Sequence, residues 1–346
     1  MAAPLDPRPL RALRLAFGVA CATALGFGLA LPIPFLTPVL ALLLLAARPS
    51  PLKAKDALAL AVTIALTTGT GLLLSPVLRH QPLAGVLLVA LSLFLCFRYS
   101  LRGGNSMLAT LLVIGLTMVS AAGTGELALG QTVVEALVKA TLLASLCIAL
   151  SHWLFAEPPS AQTAPPATPL PKTRADWVAL RAVLVVLPAW LLALINPASN
   201  MPLVMKAVSL GQQTCDLDAR HAGRELLGST LLGGALAILF WTLLSLCPQL
   251  WLLVLLMLLF LLLLARRLYR LVGNGLSPGF WLNSGITLII LLGQSVQDSA
   301  AGKDVYSAFA VRMGLFLLVT LYACAAVNLL DSRAAACQGE PPCSSA

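Results

Sequence analysis

Long apolar runs, each closed by a short cluster of Pro, Gly, Asn or charged residues, follow one another along almost the whole chain. Most can cross a hydrocarbon core of ~30 Å as a helix, and none shows the short alternating segments of a transmembrane barrel. The pattern predicts an all-α polytopic membrane protein with about twelve spans, at 13–31, 33–47, 56–75, 83–98, 106–122, 131–154, 177–195, 200–212, 223–246, 250–265, 281–297 and 304–330. The second and eighth are short. The tenth is apolar all round and is expected to face lipid or another subunit.

Composition agrees. Of 346 residues, 59% are hydrophobic and 10% charged, with a mean hydropathy of +0.94, too apolar for a soluble domain that must keep a charged surface. The net charge of +9 would suit nucleic acid, but its distribution follows membrane topology instead. With the N-terminus cytoplasmic, seventeen of the 22 Lys and Arg residues fall in cytoplasmic segments or at cytoplasmic helix ends, most clearly Arg8, Arg11, Arg14, Arg48, Lys53, Lys55, Arg98, Arg102, Arg266, Arg267 and Arg270. Arg79 and Lys303 fall outside. This is the positive-inside asymmetry, and an even number of spans makes both termini cytoplasmic. The basic start lacks a small-residue cleavage site, so the first helix is expected to remain in place.

The chain also repeats itself. Asn105-Ser106, Gly115 and Thr117 recur at the same internal spacing as Asn283-Ser284, Gly293 and Ser295; Lys55-Asp56 recurs as Arg224-Glu225, Pro34 as Pro202, and Lys139 as Arg312. Two halves of six spans each must share one orientation, which defines parallel repeats about an axis along the membrane normal. The expected organisation is a first six-helix repeat at 1–155, a Pro-rich cytoplasmic linker at 156–175, a second repeat at 176–332 and a cytoplasmic tail at 333–346. The linker composition favours extended chain and cannot bury a core.

Three cations fall inside spans: Lys139, Lys206 and Arg312. A cation in hydrocarbon costs ~2.5–3.5 kcal/mol on insertion scales, so each needs a cavity, a counter-charge or an anionic ligand. Lys139 and Arg312 occupy matching helices, about 12 Å from one end, and a pseudo-twofold axis would set them face to face, which suits an anion pathway. Glu135 is one turn before Lys139 and offers either a structural pair or a proton-coupling carboxylate. Arg312 lacks such a neighbour on its own helix, which favours it as the substrate-binding group. Lys206 lies in the short eighth span, where it is expected to snorkel to the surface.

Pro34 and Pro202, with nearby Asn200, mark matched interruptions of the second and eighth spans, read either as broken helices whose N–H groups face an anion or as tight turns. Asn105 and Asn283 suit helix caps or substrate contacts. Small-residue runs such as 67–71 and Gly228, Ser229, Gly233 and Gly234 are expected to let helices pack closely. His80, His152 and His221 are scattered, and no HExxH, GxSxG, Walker or CxxC pattern occurs. No catalytic constellation, metal or cofactor is therefore expected, and the chain is not read as an enzyme. The cysteines are mostly intramembrane, and Cys337 and Cys343 match no zinc spacing.

The stretches 12–19 and 31–39, and 223–234 in the second half, resemble the fusaric acid resistance and aromatic acid exporter family. The likeness is to short bacterial members, because the longer ones carry a large cytoplasmic domain where this chain has only the linker. The resemblance implies an inner-membrane pump for small organic, above all aromatic, carboxylates, driven by the proton gradient and working with a periplasmic membrane-fusion adaptor. Plant malate channels, in the same broader group, resemble one half of this chain used as a dimer and supply the channel alternative; homo-oligomerisation is a separate expectation. The alternatives are an uncoupled organic-anion channel and a non-transporting membrane subunit of a cell-envelope complex.

Overall fold

The computed structural model describes residues 7–47, 54–156, 171–216, 219–273 and 275–338. Its elements are α1 (Arg8–Gly28), α2 (Leu36–Ala47), α3 (Ala54–His80), α4 (Pro82–Leu101), α5 (Ser106–Gly125), α6 (Leu127–Leu154), α7 (Lys172–Ile195), α8 (Pro197–Asp216), α9 (Ala219–Ser245), α10 (Leu250–Leu268), α11 (Pro278–Ala300) and α12 (Val305–Gln338). Each coincides with one predicted span. Among the described residues there is no strand, and ten helices are long and apolar enough to cross a membrane. The chain is an all-helical, multi-pass membrane protein.

The departures have local causes. Helix α2 has 12 residues, about 18 Å, too short to cross the core alone. It is buried along most of its length, from Leu36 to Leu45. Helix α8 is not short: it covers 20 residues and continues through Pro202, so this proline does not break it. Asn200, Lys206, Gln212 and Gln213 dilute its apolar character, which is why the hydrophobic run alone underestimates its length. Pro34 does lie outside regular helix, in the turn between α1 and α2. Helix α12 continues to Gln338, into the predicted tail, and residues 339–346 lie outside the described residues. Helix α7 starts at Lys172, within the predicted linker, and 157–170 likewise lie outside.

Close approaches fix the helix ends. Four helices close with a 6→1 hydrogen bond over a left-handed residue: Ala30 (φ 49°), Gly103 (φ 90°), Arg270 (φ 56°) and Gly302 (φ 70°). Only Gln81 separates α3 from α4. A Cβ on Gly85 would lie 2.9 Å from Leu78 Cα, so this hairpin requires glycine there.

The helix packing repeats with the sequence. In the first half α1 packs on α2, α3 on α5, α4 on α5, and α6 on α1, α2, α3 and α5; each pairing recurs among α7 to α12. The halves meet at two matched seams, α1 on α10 and α4 on α7, and α5 reaches α8 as α11 reaches α2. Helices α5 and α11 form the centre, with 72% of their spanning windows buried, whereas α4 and α12 have 22% and 28% buried. Helix α8 also packs on α11 and α9. Short α2 has no comparable packing on α5 and α3, so the pseudo-symmetry weakens there.

Candidate functional site

Lys206 stands at that asymmetric position. Its side chain is fully buried and does not snorkel, because α8 (Pro197–Asp216) carries it near the middle of the helix, against α11. The Nζ donates to Asn283 Oδ1 at 2.9 Å and to Thr287 Oγ1 at 2.7 Å. Asn283 Oδ1 also accepts from Ser209 at 3.2 Å, and its amide donates to Ser229 Oγ at 2.7 Å. The Thr287 hydroxyl donates to the Asn283 backbone carbonyl at 2.7 Å. The network therefore links α8 to α11 and α9 through neutral groups. An ammonium has three N–H donors; two are satisfied here, and no carboxylate is within ion-pairing distance among the described residues.

Asn283 is thus a polar contact of the buried Lys206 amine and not a cap. Ser277 caps α11 instead, accepting from Phe280 N at 3.2 Å. Asn105 does cap its helix, with Leu108 N donating to its Oδ1 at 3.4 Å. Asn200 donates to the Leu192 carbonyl at 3.1 Å and ties the start of α8 to the end of α7.

The two other intramembrane cations are paired, and not with each other. Arg312 grips Asp298 with both guanidinium nitrogens, the Nη2 contact measuring 3.0 Å; the two side chains are 18% and 6% exposed. Arg312 has no carboxylate one turn away on its own helix, but it does have a partner on α11, the preceding helix, so it is not the unpaired cation that its own helix suggests. Lys139 binds Glu135 at 3.0 Å, but the pair is 56% and 66% exposed on the outer face of α6. Helix α6 packs on α1, α2, α3 and α5, and α12 on α7, α8, α9 and α11. The pathway expected between Lys139 and Arg312 is not what this packing builds.

Arg14 reads in the sequence only as a cytoplasmic topology charge and Arg181 is not singled out there, yet both are buried, on α1 and α7, at matching positions. Their signal is the repeated Ala-Leu-Arg of 12–14 and 179–181. Among the described residues no cluster of three His, Cys, Asp or Glu side chains is arranged to hold a metal.

Compared with known proteins, residues 11–151 match a family model described as a protein of unknown function (DUF2955). The matched segment covers α1 to α6. No curated protein and no solved structure matches the chain.

Proposed function

We propose that this chain is a secondary transporter of the bacterial inner membrane that exports small organic carboxylates, aromatic acids foremost, with Lys206 as the anion-binding group. One observation carries the reading: an amine with no exposure, on neutral partners, where α8 meets α5, α11 and α12. An intramembrane ammonium requires a counter-charge, and a substrate carboxylate accepting the third N–H would supply it. Asn283 and Thr287 orient the amine for that contact. Because the amine is sealed in this conformation, substrate reaches it only when the helices around it part, as alternating access between repeats requires.

Glu135 is too exposed for the proton-coupling role in this reading, and Asp298 takes it. Its carboxylate is the buried one among the described residues, and its bond to Arg312 changes on protonation. The periplasmic adaptor and the proton gradient remain part of the proposal on the strength of the family resemblance.

The test is uptake and efflux of radiolabelled aromatic and aliphatic carboxylates in proteoliposomes under an imposed pH gradient, comparing wild type with Lys206→Met. The near-isosteric thioether keeps the packing and removes the charge. Transport should fall at least about tenfold, the equivalent of one charge-assisted contact. Transport equal to wild type would remove Lys206 from the site. If wild type moves no acid, with or without a co-purified adaptor, the transporter reading fails.

A further inference from the structure

A second region of the molecule has the chemistry of a ligand site and takes no part in that reading. Helices α9, α10 and α11 line an open-sided cavity of about 510 Å³ near the C-terminal end of α10. It exists because α9 packs closely on α11 and only lightly on α10, which leaves an opening between them. Its walls include Leu236, Phe260, Leu264 and Trp281, and its rim carries Arg266 and Arg267.

The polar and apolar parts are segregated along the helix axis. Phe260 and Arg267 are seven residues apart, about 10 Å or two helical turns. The cavity thus runs from a cationic end to a wholly apolar one. Arg266 and Arg267 are exposed, and Arg267 is stacked over the Trp281 ring at 5.8 Å from its centroid, which fixes the guanidinium at the mouth. Arg266 has no carboxylate within ion-pairing distance among the described residues. Arg270 is exposed one turn further on. A tryptophan beside arginines at the end of a spanning helix marks headgroup depth.

We infer that this cavity is a binding site for an anionic phospholipid, with the phosphate on Arg266 and Arg267 and an acyl chain running past Leu236, Phe260 and Leu264. The charge complementarity selects an anion, guanidinium forks match phosphate oxygens, and the apolar depth selects a tailed ligand over a free ion. Basic pockets between spanning helices are the sites where such headgroups are held.

The experiment uses the full-length protein in neutral detergent, titrated with phosphatidylglycerol or phosphatidylcholine, with bound lipid counted by native mass spectrometry. Wild type should retain phosphatidylglycerol in preference to phosphatidylcholine. Arg266→Gln with Arg267→Gln should weaken retention by about thirtyfold, the combined weight of two cations near an anionic headgroup. Arg266→Lys with Arg267→Lys, which keeps the charge but loses the fork and the stacking on Trp281, should restore only part of it, and Leu236→Trp, which fills the apolar end and leaves the charge intact, should also lower retention. Unchanged binding in the Gln pair would overturn the site. So would an equal loss in Arg102→Gln, an exposed cation on the opposite repeat, since only diffuse electrostatics would then be at work. Displacement by inorganic phosphate together with indifference to Leu236→Trp would show a free-anion site and overturn the lipid assignment.

Discussion

Asn283 holds its side-chain oxygen 2.9 Å from the Lys206 amine, so replacing that amide by a carboxylate adds a charge beside the amine and turns the donor to Ser229 into an acceptor, which the Ser229 hydroxyl must rotate to meet. Asn283→Asp should give Lys206 a permanent counter-charge, keep or raise thermal stability in detergent, and abolish carboxylate transport because the substrate's place is taken. Retained transport would show that Lys206 does not need an anion. Arg312 and Asp298 offer the contrasting case. Each is largely buried and already paired, so Asp298→Asn should destabilise the protein by roughly 3–5 kcal/mol through a stranded guanidinium, and adding Arg312→Gln should recover much of that loss. Unfolding of wild type, Asp298→Asn, Arg312→Gln and the double variant measures the coupling. The sequence marked all three cations as costly, since charge inside an apolar run is visible directly. Their partners were not visible. Asp298 is 14 residues from Arg312 across a turn, and Asn283 is 77 residues from Lys206, so no helical spacing rule connects either pair. Lys206 was discounted because polar neighbours hid the true length of α8.

Helix contacts depend on small residues at particular depths. A Cβ on Gly233 would come within 2.6 Å of Thr287 Cβ and 2.7 Å of the Ser284 carbonyl, whereas one on Gly69 meets nothing within 4 Å. Gly233→Ala should therefore force α9 from α11, cost about 1–3 kcal/mol, and disturb transport by moving Thr287, a Lys206 partner. Gly69→Ala should be neutral or stabilising by about 0.5–1 kcal/mol. Thermal denaturation of both variants checks the contrast. At the start of α12, the Asp304 carboxylate accepts from the Tyr306 and Ser307 amides at 3.2 and 3.3 Å. The Ser307 side chain and these amides hold its titration below the ordinary 3.8. A depressed carboxylate stabilises fully above that ordinary value and loses its effect as pH falls through the lowered one. Protection of the Tyr306 and Ser307 amides from exchange should accordingly fall in acid below about pH 4, and Asp304→Ala should show the lowered protection at neutral pH. These elements were legible from hydrophobic runs and small-residue clusters. The continuation of α8 through Pro202 was not, because a proline six residues into a helix reads locally as a break although surrounding contacts sustain it.

Across the whole molecule, the duplication seen in the residues recurs as duplicated packing, yet the copies have diverged chemically. Ser120 stands where the repeat would place Asp298, by the 178-residue offset that relates Asn105 to Asn283. It accepts a hydrogen bond from Trp190 at 3.1 Å and joins α5 of one repeat to α7 of the other. The first repeat therefore supplies a neutral inter-repeat contact where the second supplies an ion pair. If transport depends on the repeats rocking about their seams, motion at α4 and α7 is obligatory, and Arg98 and Asp176, 2.7 Å apart across that seam, report on it. Their partial exposure makes the pair itself worth little in stability, so both can be replaced. In a background without other reactive thiols, Arg98→Cys with Asp176→Cys should transport normally when uncoupled. A short reducible bifunctional thiol linker should then arrest transport, and reduction should restore it. Single-cysteine variants treated alike control for modification alone. Transport that persists through complete cross-linking would mean that the repeats do not separate at this seam, and that anions reach Lys206 by local movement of α8 and α11 alone.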